Sequence, residues 1–166
     1  MKVYLFRQGY LRTSSYQYSL NNDKLADLNV HLTNNAVQKY NQDYGRYESG
    51  NQLSFEFLRS ALKEANSSYD DLIVKLKEIV KLTTLSVRKK INKQERNFCF
   101  EIFGFDFMLD QRGNPWLIEV NTNPCLEESS PLLEELLPRM LDDAFSLTID
   151  QIYDFRKSST NFPVTL

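Results

Sequence analysis

The chain has 166 residues, of which 42% are hydrophobic and 13% aromatic, and its formal net charge at pH 7 is -2. This length suits one domain, and so high an apolar content excludes an intrinsically disordered protein. The sequence has no run of 18 apolar residues, no signal-peptide pattern and no nucleic-acid motif, so we expect no membrane span, no export and no nucleic-acid partner.

The first predicted element is a β-hairpin formed by residues 3–7 and 10–13. Gly9 would supply the positive φ that its tight turn needs. Arg7 and Arg12 are explained either as solvent-facing strand residues or as guanidinium groups that bind a phosphate or carboxylate through paired hydrogen bonds. The residues alone leave that choice open.

Two short elements are predicted next. Residues 28–35 indicate an extended segment that passes into a helical turn at 36–40, where Asn35 and Gln38 have capping-box spacing. His31 is the only histidine of the chain. It is equally consistent with a structural hydrogen bond and with a contact to a nucleotide.

Amphipathic helices account for most of the remaining chain. The periodicity predicts helices at 53–65 and 70–87, a third that starts at Ser130 and breaks or restarts at Pro138, and a final one that ends near residue 154. Their expected core faces comprise Leu58, Ala61, Leu62 and Ala65; Leu72, Leu76, Ile79, Thr83 and Val87; Leu132, Leu133, Leu136 and Leu137; and Leu141, Ala144, Phe145, Thr148 and Ile152. Residues 158–166 are expected to form a frayed tail.

A second hairpin is predicted from residues 100–110 and 115–124, which flank a turn at Gly113 and Asn114. Alternation places Phe103, Phe105, Phe107 and Leu109 on one face, where they match Trp116, Ile118 and Val120 of the second strand. In that register Asp106 lies opposite Glu119 with the two Cβ atoms about 5 Å apart, and Asn121 follows on the same face.

Two carboxylates that face each other without a cation destabilise a strand pair. Either one of them is protonated, or a hard cation with oxygen ligands bridges them. Magnesium suits such a site because it takes one or two protein carboxylates and completes its shell with water and substrate phosphates. Asp106, Glu119 and Asn121 therefore predict a site for magnesium and nucleotide phosphates, and the alternative is the ordinary solvated face of an antiparallel sheet.

Five segments in order carry a family resemblance: FRQGYLRT at 6–13, HLTN at 31–34, YGRYESGN at 44–51, FGFDF at 103–107 and WLIEVN at 116–121. In these segments the chain resembles the C-terminal part of the ATP-grasp domain of tubulin tyrosine ligase and the tubulin tyrosine ligase-like enzymes. The resemblance implies an α+β fold in residues 1–157, namely an ATP-grasp C-terminal lobe of mainly antiparallel sheet with packed helices, whose N-terminal lobe is missing.

Members of this family use ATP to convert a carboxylate into an acyl phosphate, which the amino group of an amino acid then displaces. The resemblance implies ATP and Mg²⁺ as cofactors, and the tubulin C-terminal tail and free glutamate, glycine or tyrosine as partners. It also implies a monomer in the cytoplasm, on the cytoskeleton or in cilia. It assigns catalysis to Arg12 and Glu119, nucleotide contacts to His31, Leu32, Thr33, Asn34 and Ile118, and metal binding to Asp106, Glu119 and Asn121.

Two other interpretations stay open. In this family the other lobe supplies lysines to the phosphates and backbone groups to the adenine, so the chain could be a truncated, non-catalytic relative that binds tubulin. It could also be an ATP-grasp ligase that acts on another protein or on a small carboxylate. Residues 44–51 look closest to the tyrosine ligase, whereas residues 121–127 favour the ligase-like members.

Overall fold

The computed structural model describes residues 1–153 of the chain. The elements are β1 (Tyr10–Arg12), α1 (Leu28–His31), α2 (Asn35–Gln38), β2 (Gln52–Ser54), α3 (Phe55–Glu64), α4 (Tyr69–Ile91), β3 (Gly104–Leu109), β4 (Pro115–Asn121) and α5 (Pro131–Leu147). The strands form two antiparallel two-stranded sheets, β1 with β2 and β3 with β4. The α+β class is therefore confirmed, although helices outweigh strands in the described part of the chain.

The first sheet differs from the predicted hairpin. β1 pairs with β2, with Arg12 opposite Gln52, and residues 3–7 form no strand. The turn prediction for Gly9 was also wrong, since its φ is not positive. Gly9 is needed for a close approach instead, because a Cβ at this position would lie 2.6 Å from a ring carbon of Phe55.

The short segment around residue 30 is helical, not extended. Asp27 caps α1 by accepting a 3.0 Å hydrogen bond from the Asn29 amide. The capping-box prediction at Asn35 was wrong by one residue, since Asn34 has extended φ and ψ angles and accepts the cap hydrogen bond of α2. Gln38 is consequently free of any capping function and is fully buried.

Serine side chains start the two central helices. Ser54 caps α3 and Ser68 caps α4, each by accepting a hydrogen bond from a backbone amide in the first turn. α4 continues four residues beyond the predicted end at Val87, through a basic last turn whose charges favour a helix C-terminus.

The packing of α3 and α4 forms the first of two small cores. Leu58, Leu62 and Leu72 are buried there, and Leu109 of β3 packs against them. The predicted stripes were too long, because Ala65 and Val87 at their ends are exposed.

The hairpin of β3 and β4 has an irregular register that the alternation did not predict. Asp106 pairs with Glu119 as expected, but Phe107 pairs with Leu117, so Ile118 has no partner in the register. This β-bulge turns Leu117 toward the aromatic face and leaves Trp116 on the opposite one. The expectation that Trp116 and Ile118 face the aromatic row was therefore wrong, and both are exposed.

The last helix, α5, is continuous through Pro138, where a break was predicted. The proline is on the exposed side, so the backbone hydrogen bond it cannot donate is lost next to solvent. Leu133, Leu136 and Leu137 form the second core. The helix ends at Leu147 and residues 148–153 are not helical, so the predicted end near residue 154 was wrong, whereas the predicted tail at 158–166 lies outside the described residues.

No helix within residues 1–153 combines the length and the apolar character that a membrane span requires.

Candidate active site

The acid pair is the centre of the candidate site. Asp106 and Glu119 are directly opposed in the β3–β4 register, which confirms the predicted geometry. The side-chain amide of Asn121 donates to both carboxylates, with 3.3 Å to Asp106 Oδ2 and 3.2 Å to Glu119 Oε1. The three side chains therefore converge on one face of the hairpin.

The turn that fixes this register is built around Asp110. Its carboxylate accepts hydrogen bonds from the backbone amides of Arg112 and Asn114, at 2.9 and 2.8 Å, and from the Trp116 indole at 3.3 Å. Gly113 has a φ of 73°, a conformation that few residues other than glycine adopt. The hydrogen bonds, led by those from Asn114, lower the pKa of Asp110 to about 2.

The hairpin tip is attached to the helices behind it. Lys75 of α4 donates a 2.8 Å hydrogen bond to the side-chain oxygen of Asn114. Gly113 lies beside Leu62 of α3, at a spacing where a Cβ would make an ordinary van der Waals contact of 3.5 Å. Anchoring at the tip leaves the acid end of the hairpin open to the cleft.

The carboxyl group of Asp106 is electrostatically strained. Burial raises its pKa above the ordinary value, and the nearby charge of Arg12 lowers it. A hydrogen bond with Glu119 and the repulsion of that carboxylate raise the pKa further, whereas the hydrogen bond from Asn121 lowers it. The net effect is a raised pKa, which is what two incompletely neutralised acids are expected to show.

Arg12 is the cation beside these acids. Burial lowers its pKa, but the hydrogen bond to the Tyr10 hydroxyl at 3.2 Å, together with the charges of Tyr10 and Asp106, more than compensates and raises it above the ordinary value. Arg12 is an exposed residue of β1, and within residues 1–153 no ion pair joins it to either acid, so both explanations of Arg12 stay open even though its charge acts on Asp106. Arg7 is likewise solvent-exposed and has no ion pair within the described residues.

The segment 31–34 connects α1 to α2 and lines the same broad cleft as Arg12 and the acid pair. His31 Nε2 lies 3.1 Å from the carbonyl oxygen of Lys24, and its ring packs edge-on against Tyr18 at 5.6 Å between centroids. Asn34 uses its side chain as the cap of α2. These contacts are structural, and the predicted nucleotide contacts of this segment stay a prediction.

Apolar side chains extend the acid face toward the hairpin tip. Met108, Trp116 and Ile118 are 55%, 63% and 60% exposed. Met108 and Trp116 form the next pair on the face of Asp106 and Glu119, and the bulge places Ile118 beside them. Sequence reasoning missed Trp116 here because a regular strand would have turned it to the other face.

The donor atoms at the acid pair suit a magnesium ion. Two carboxylates are present, and rotation of the Asn121 amide by half a turn would add a third oxygen. Within residues 1–153 no group of three or more His, Cys, Asp or Glu side chains could hold a metal. Any divalent ion here would thus rely on water and phosphate oxygens for its other ligands, which is the usual arrangement for magnesium and not for zinc.

The sequence of the chain is similar to those of known proteins. Residues 1–159 match the sequence model described as "Tubulin-tyrosine ligase family". The chain is 33% identical over 162 residues to tubulin glycylase 3B of Tetrahymena thermophila, covering 96% of this chain and 13% of the relative. It is 29% identical to the probable alpha-tubulin polyglutamylase Ttll1 of the same organism, over 96% of this chain and 38% of the relative. With human tubulin monoglutamylase TTLL4 the identity is 31%, over 89% of this chain and 13% of the relative. The chain therefore spans between 13% and 38% of the length of these three relatives.

Proposed function

Because the chain belongs to the tubulin-tyrosine ligase family, we propose that it forms the magnesium- and ATP-phosphate-binding part of an ATP-dependent ligase that joins an amino acid to a tubulin tail. The observation that carries the proposal is the opposed pair Asp106 and Glu119, joined by Asn121 and faced by the charge of Arg12. Such an arrangement is costly for a strand pair and favourable for a divalent cation.

The proposed fold is the C-terminal lobe of an ATP-grasp domain. The α+β architecture and the open cleft beside the acid pair support this assignment. In this proposal residues 31–34 and Ile118 contact the nucleotide, and they line the same broad cleft as Arg12 and Asp106.

The residues suit phosphoryl transfer to a carboxylate. A bound magnesium ion would supply positive charge against the phosphate oxygens. Asp106, Glu119 and Asn121 would hold that ion, and the Arg12 guanidinium would pair with the transferring phosphoryl group or the substrate carboxylate. A substrate carboxylate oxygen would attack the γ-phosphorus and release ADP, after which the amino group would attack the acyl carbon, release phosphate and lose a proton.

The relatives favour a particular class of amino acid. Their names describe a tubulin glycylase, an alpha-tubulin polyglutamylase and a tubulin monoglutamylase. We therefore propose glycine or glutamate, ahead of tyrosine, as the amino acid added, with the cytoplasmic cytoskeleton or the cilium as the place of action.

A labelling assay tests the ligase activity. The protein, expressed with any sequence that precedes Met1 in its reading frame, is incubated with tubulin, ATP, Mg²⁺ and labelled glutamate, glycine or tyrosine in turn. We expect incorporation of one of them, and we expect Glu119→Gln to abolish it because the ion loses a charged ligand. Asp142→Asn, a change at an exposed acid of α5, is the matched control and should retain activity.

The possible outcomes separate the interpretations. A folded protein that incorporates none of the three amino acids would overturn the proposal in favour of a non-catalytic tubulin-binding relative. Full activity of the Glu119→Gln variant would remove the role assigned to the acid pair.

A further inference from the structure

The most completely buried side chain in the described part of the chain is the amide of Gln38, which has no role in the proposed site. Gln38, the last residue of α2, has 0% exposure. Burial of a primary amide is favourable only when its donors and acceptor are all satisfied by partners. The partners of Gln38 therefore show what this residue holds in place.

Each polar atom of the Gln38 side chain bonds to the backbone of another segment. Its Oε1 accepts a 2.9 Å hydrogen bond from the Ser15 amide. Its Nε2 donates to the carbonyl oxygens of Asn29 at 3.2 Å and Leu32 at 2.5 Å. The Gln38 backbone amide also donates to the carbonyl oxygen of Asn34 at 3.0 Å.

These partners lie within three residues of Arg12 or of segment 31–34, the two parts of the chain assigned to the proposed phosphate site. Ser15 follows Arg12 by three residues, and Leu32 and Asn34 lie in the segment 31–34. Gln38 thus joins the segment that follows β1, at Ser15, to Leu32 in the loop assigned to the nucleotide.

A second buried amide extends the link. Asn51 donates to the Ser15 hydroxyl at 3.0 Å and to the Thr13 carbonyl at 3.3 Å, and its own oxygen accepts from the Gly45 amide at 2.8 Å. Ser15 is thereby held on both sides, by Gln38 at its backbone and by Asn51 at its hydroxyl. The loop of residues 44–51 joins the same network.

We propose that Gln38 is a positioning residue, which fixes segment 31–34 against Arg12 so that the nucleotide phosphates meet both. The inference rests on the proposed function, because it presumes that segment 31–34 contacts the nucleotide. Replacing Gln38 by an apolar residue of similar length leaves the carbonyls of Asn29 and Leu32 without donors, and the loop then moves relative to Arg12 while the hairpin acids keep their contacts.

The test compares Gln38→Met with Ser130→Ala in the labelling assay. Ser130 is also buried, caps α5 and bonds to Gln52, so its loss destabilises the protein without touching segment 31–34. We expect Gln38→Met to raise the KM for MgATP roughly tenfold to a hundredfold, the scale of a displacement of about 1 Å in a positioned group. Ser130→Ala should lower the folded fraction, and with it the apparent kcat, and leave the KM within about twofold.

A purely structural role would give Gln38→Met the same signature as Ser130→Ala, with an unchanged KM, and would overturn the proposal. Gln38→Glu keeps the length and the acceptor to Ser15 but places a carboxylate oxygen against the carbonyls of Asn29 and Leu32, so it should raise the KM at least as much as Gln38→Met, and an unchanged KM would also overturn the proposal. If neither Gln38 variant folds while Ser130→Ala does, Gln38 is a folding determinant and the proposal is likewise overturned.

A second readout separates this inference from the proposed function. Amide hydrogen exchange needs no nucleotide, and Gln38→Met should accelerate exchange at Ser15 and within residues 31–34 but not at residues 115–121 of β4. If the unsubstituted protein does not use ATP and the exchange result holds, the proposed function fails and the structural link stands. Unchanged exchange at Ser15 would overturn the link itself.

Discussion

At the scale of single residues, the raised pKa of Asp106 makes the acid pair a source of pH-dependent stability. A group whose pKa is raised on folding contributes stability that is fully present below its unfolded-state pKa and is lost as the pH rises through the folded-state pKa. Burial and the carboxylate of Glu119 are the main causes that raise it. The folded protein should therefore lose stability at Asp106 as the pH rises from the ordinary range of an Asp toward neutrality.

We predict that Asp106→Asn raises the melting temperature at neutral pH and has less effect in acid, where the aspartate is protonated in both states. Thermal unfolding of both proteins between pH of about 3 and about 7 measures this difference. Asp142→Asn, the exposed control, should show no such trend. Added Mg²⁺ should stabilise the unsubstituted protein only, and equal stabilisation of Asp106→Asn would contradict the assignment of the metal.

Sequence patterns predicted the opposed acids because a hairpin is a local structure whose parity follows from side-chain alternation. They did not predict Gln38, since its three side-chain partners are backbone groups at irregular separations of 6, 9 and 23 residues and capping spacing offered a simpler explanation. The role of Arg12 was predicted only in part. Its residue type suggested an anion partner, and only the fold brought it to Asp106.

At the scale of elements, the β3–β4 turn depends on one ionised side chain. The pKa of Asp110 is lowered to about 2 by hydrogen bonds led by those from Asn114. A lowered pKa contributes stability that is present above the unfolded-state pKa and is lost as the pH falls through the folded-state value. The hairpin should therefore weaken in acid.

We predict that Asp110→Ala destabilises the protein near neutral pH, and that the difference from the unsubstituted protein shrinks as the pH falls from about 5 to about 2. Urea unfolding at several pH values measures it, with Asp142→Ala as the exposed control. A difference that is constant over this range would show that the turn does not need the carboxylate charge.

The interior proline of α5 leads to a prediction of increased stability, unlike the destabilisation expected for Asp110→Ala. Pro138 is exposed and cannot donate the backbone hydrogen bond that a helix interior expects. Pro138→Ala should raise the free energy of unfolding by on the order of 1–3 kcal/mol. Pro131→Ala is the matched control, because proline is well tolerated at a first helical position and its removal should change little. Destabilisation by Pro138→Ala would show that the ring packs usefully.

Helix existence was predictable at this scale and strand detail was not. The periodic apolar residues located α3 and α4, and Ser130 marked the start of α5, because both signals act within a few residues. The bulge at Ile118 leaves no periodic signal, since a single extra residue shifts the alternation of only half a strand. The continuity of α5 through Pro138 could not be predicted either, because it depends on Pro138 lying on the side of the helix that faces solvent.

At the scale of the whole molecule, the chain matches only part of the length of its relatives. The family resemblance implies further nucleotide contacts from another lobe. We predict that the 166-residue polypeptide alone binds MgATP weakly or not at all, while Mn²⁺ still binds at the acid pair. Isothermal titration measures MgATP binding, and Mn²⁺-induced relaxation of the Asn121 side-chain resonances measures Mn²⁺ binding. A micromolar dissociation constant for MgATP would contradict the prediction of weak nucleotide binding.

The pairing of strands that are far apart in the sequence could not be predicted. Residues 10–12 pair with a strand some 40 residues downstream. The local sequence pattern instead predicted a hairpin with the nearer residues 3–7. The α+β class survived this error because it depends on which elements exist and not on which ones pair. The cleft, by contrast, required the pairing, since β1 carries Arg12 toward the acids.

The irregular position in β4 has a consequence for how this hairpin tolerates changes in length. Positions 104–106 and 107–109 already use pairing registers that differ by one, so deletion of Ile118 would let both ends keep their present neighbours. Homologous hairpins shorter by one amino acid could thus preserve the carboxylate pairing. Gaps at that position in a family alignment should therefore be no obstacle to assigning the two acids to each other.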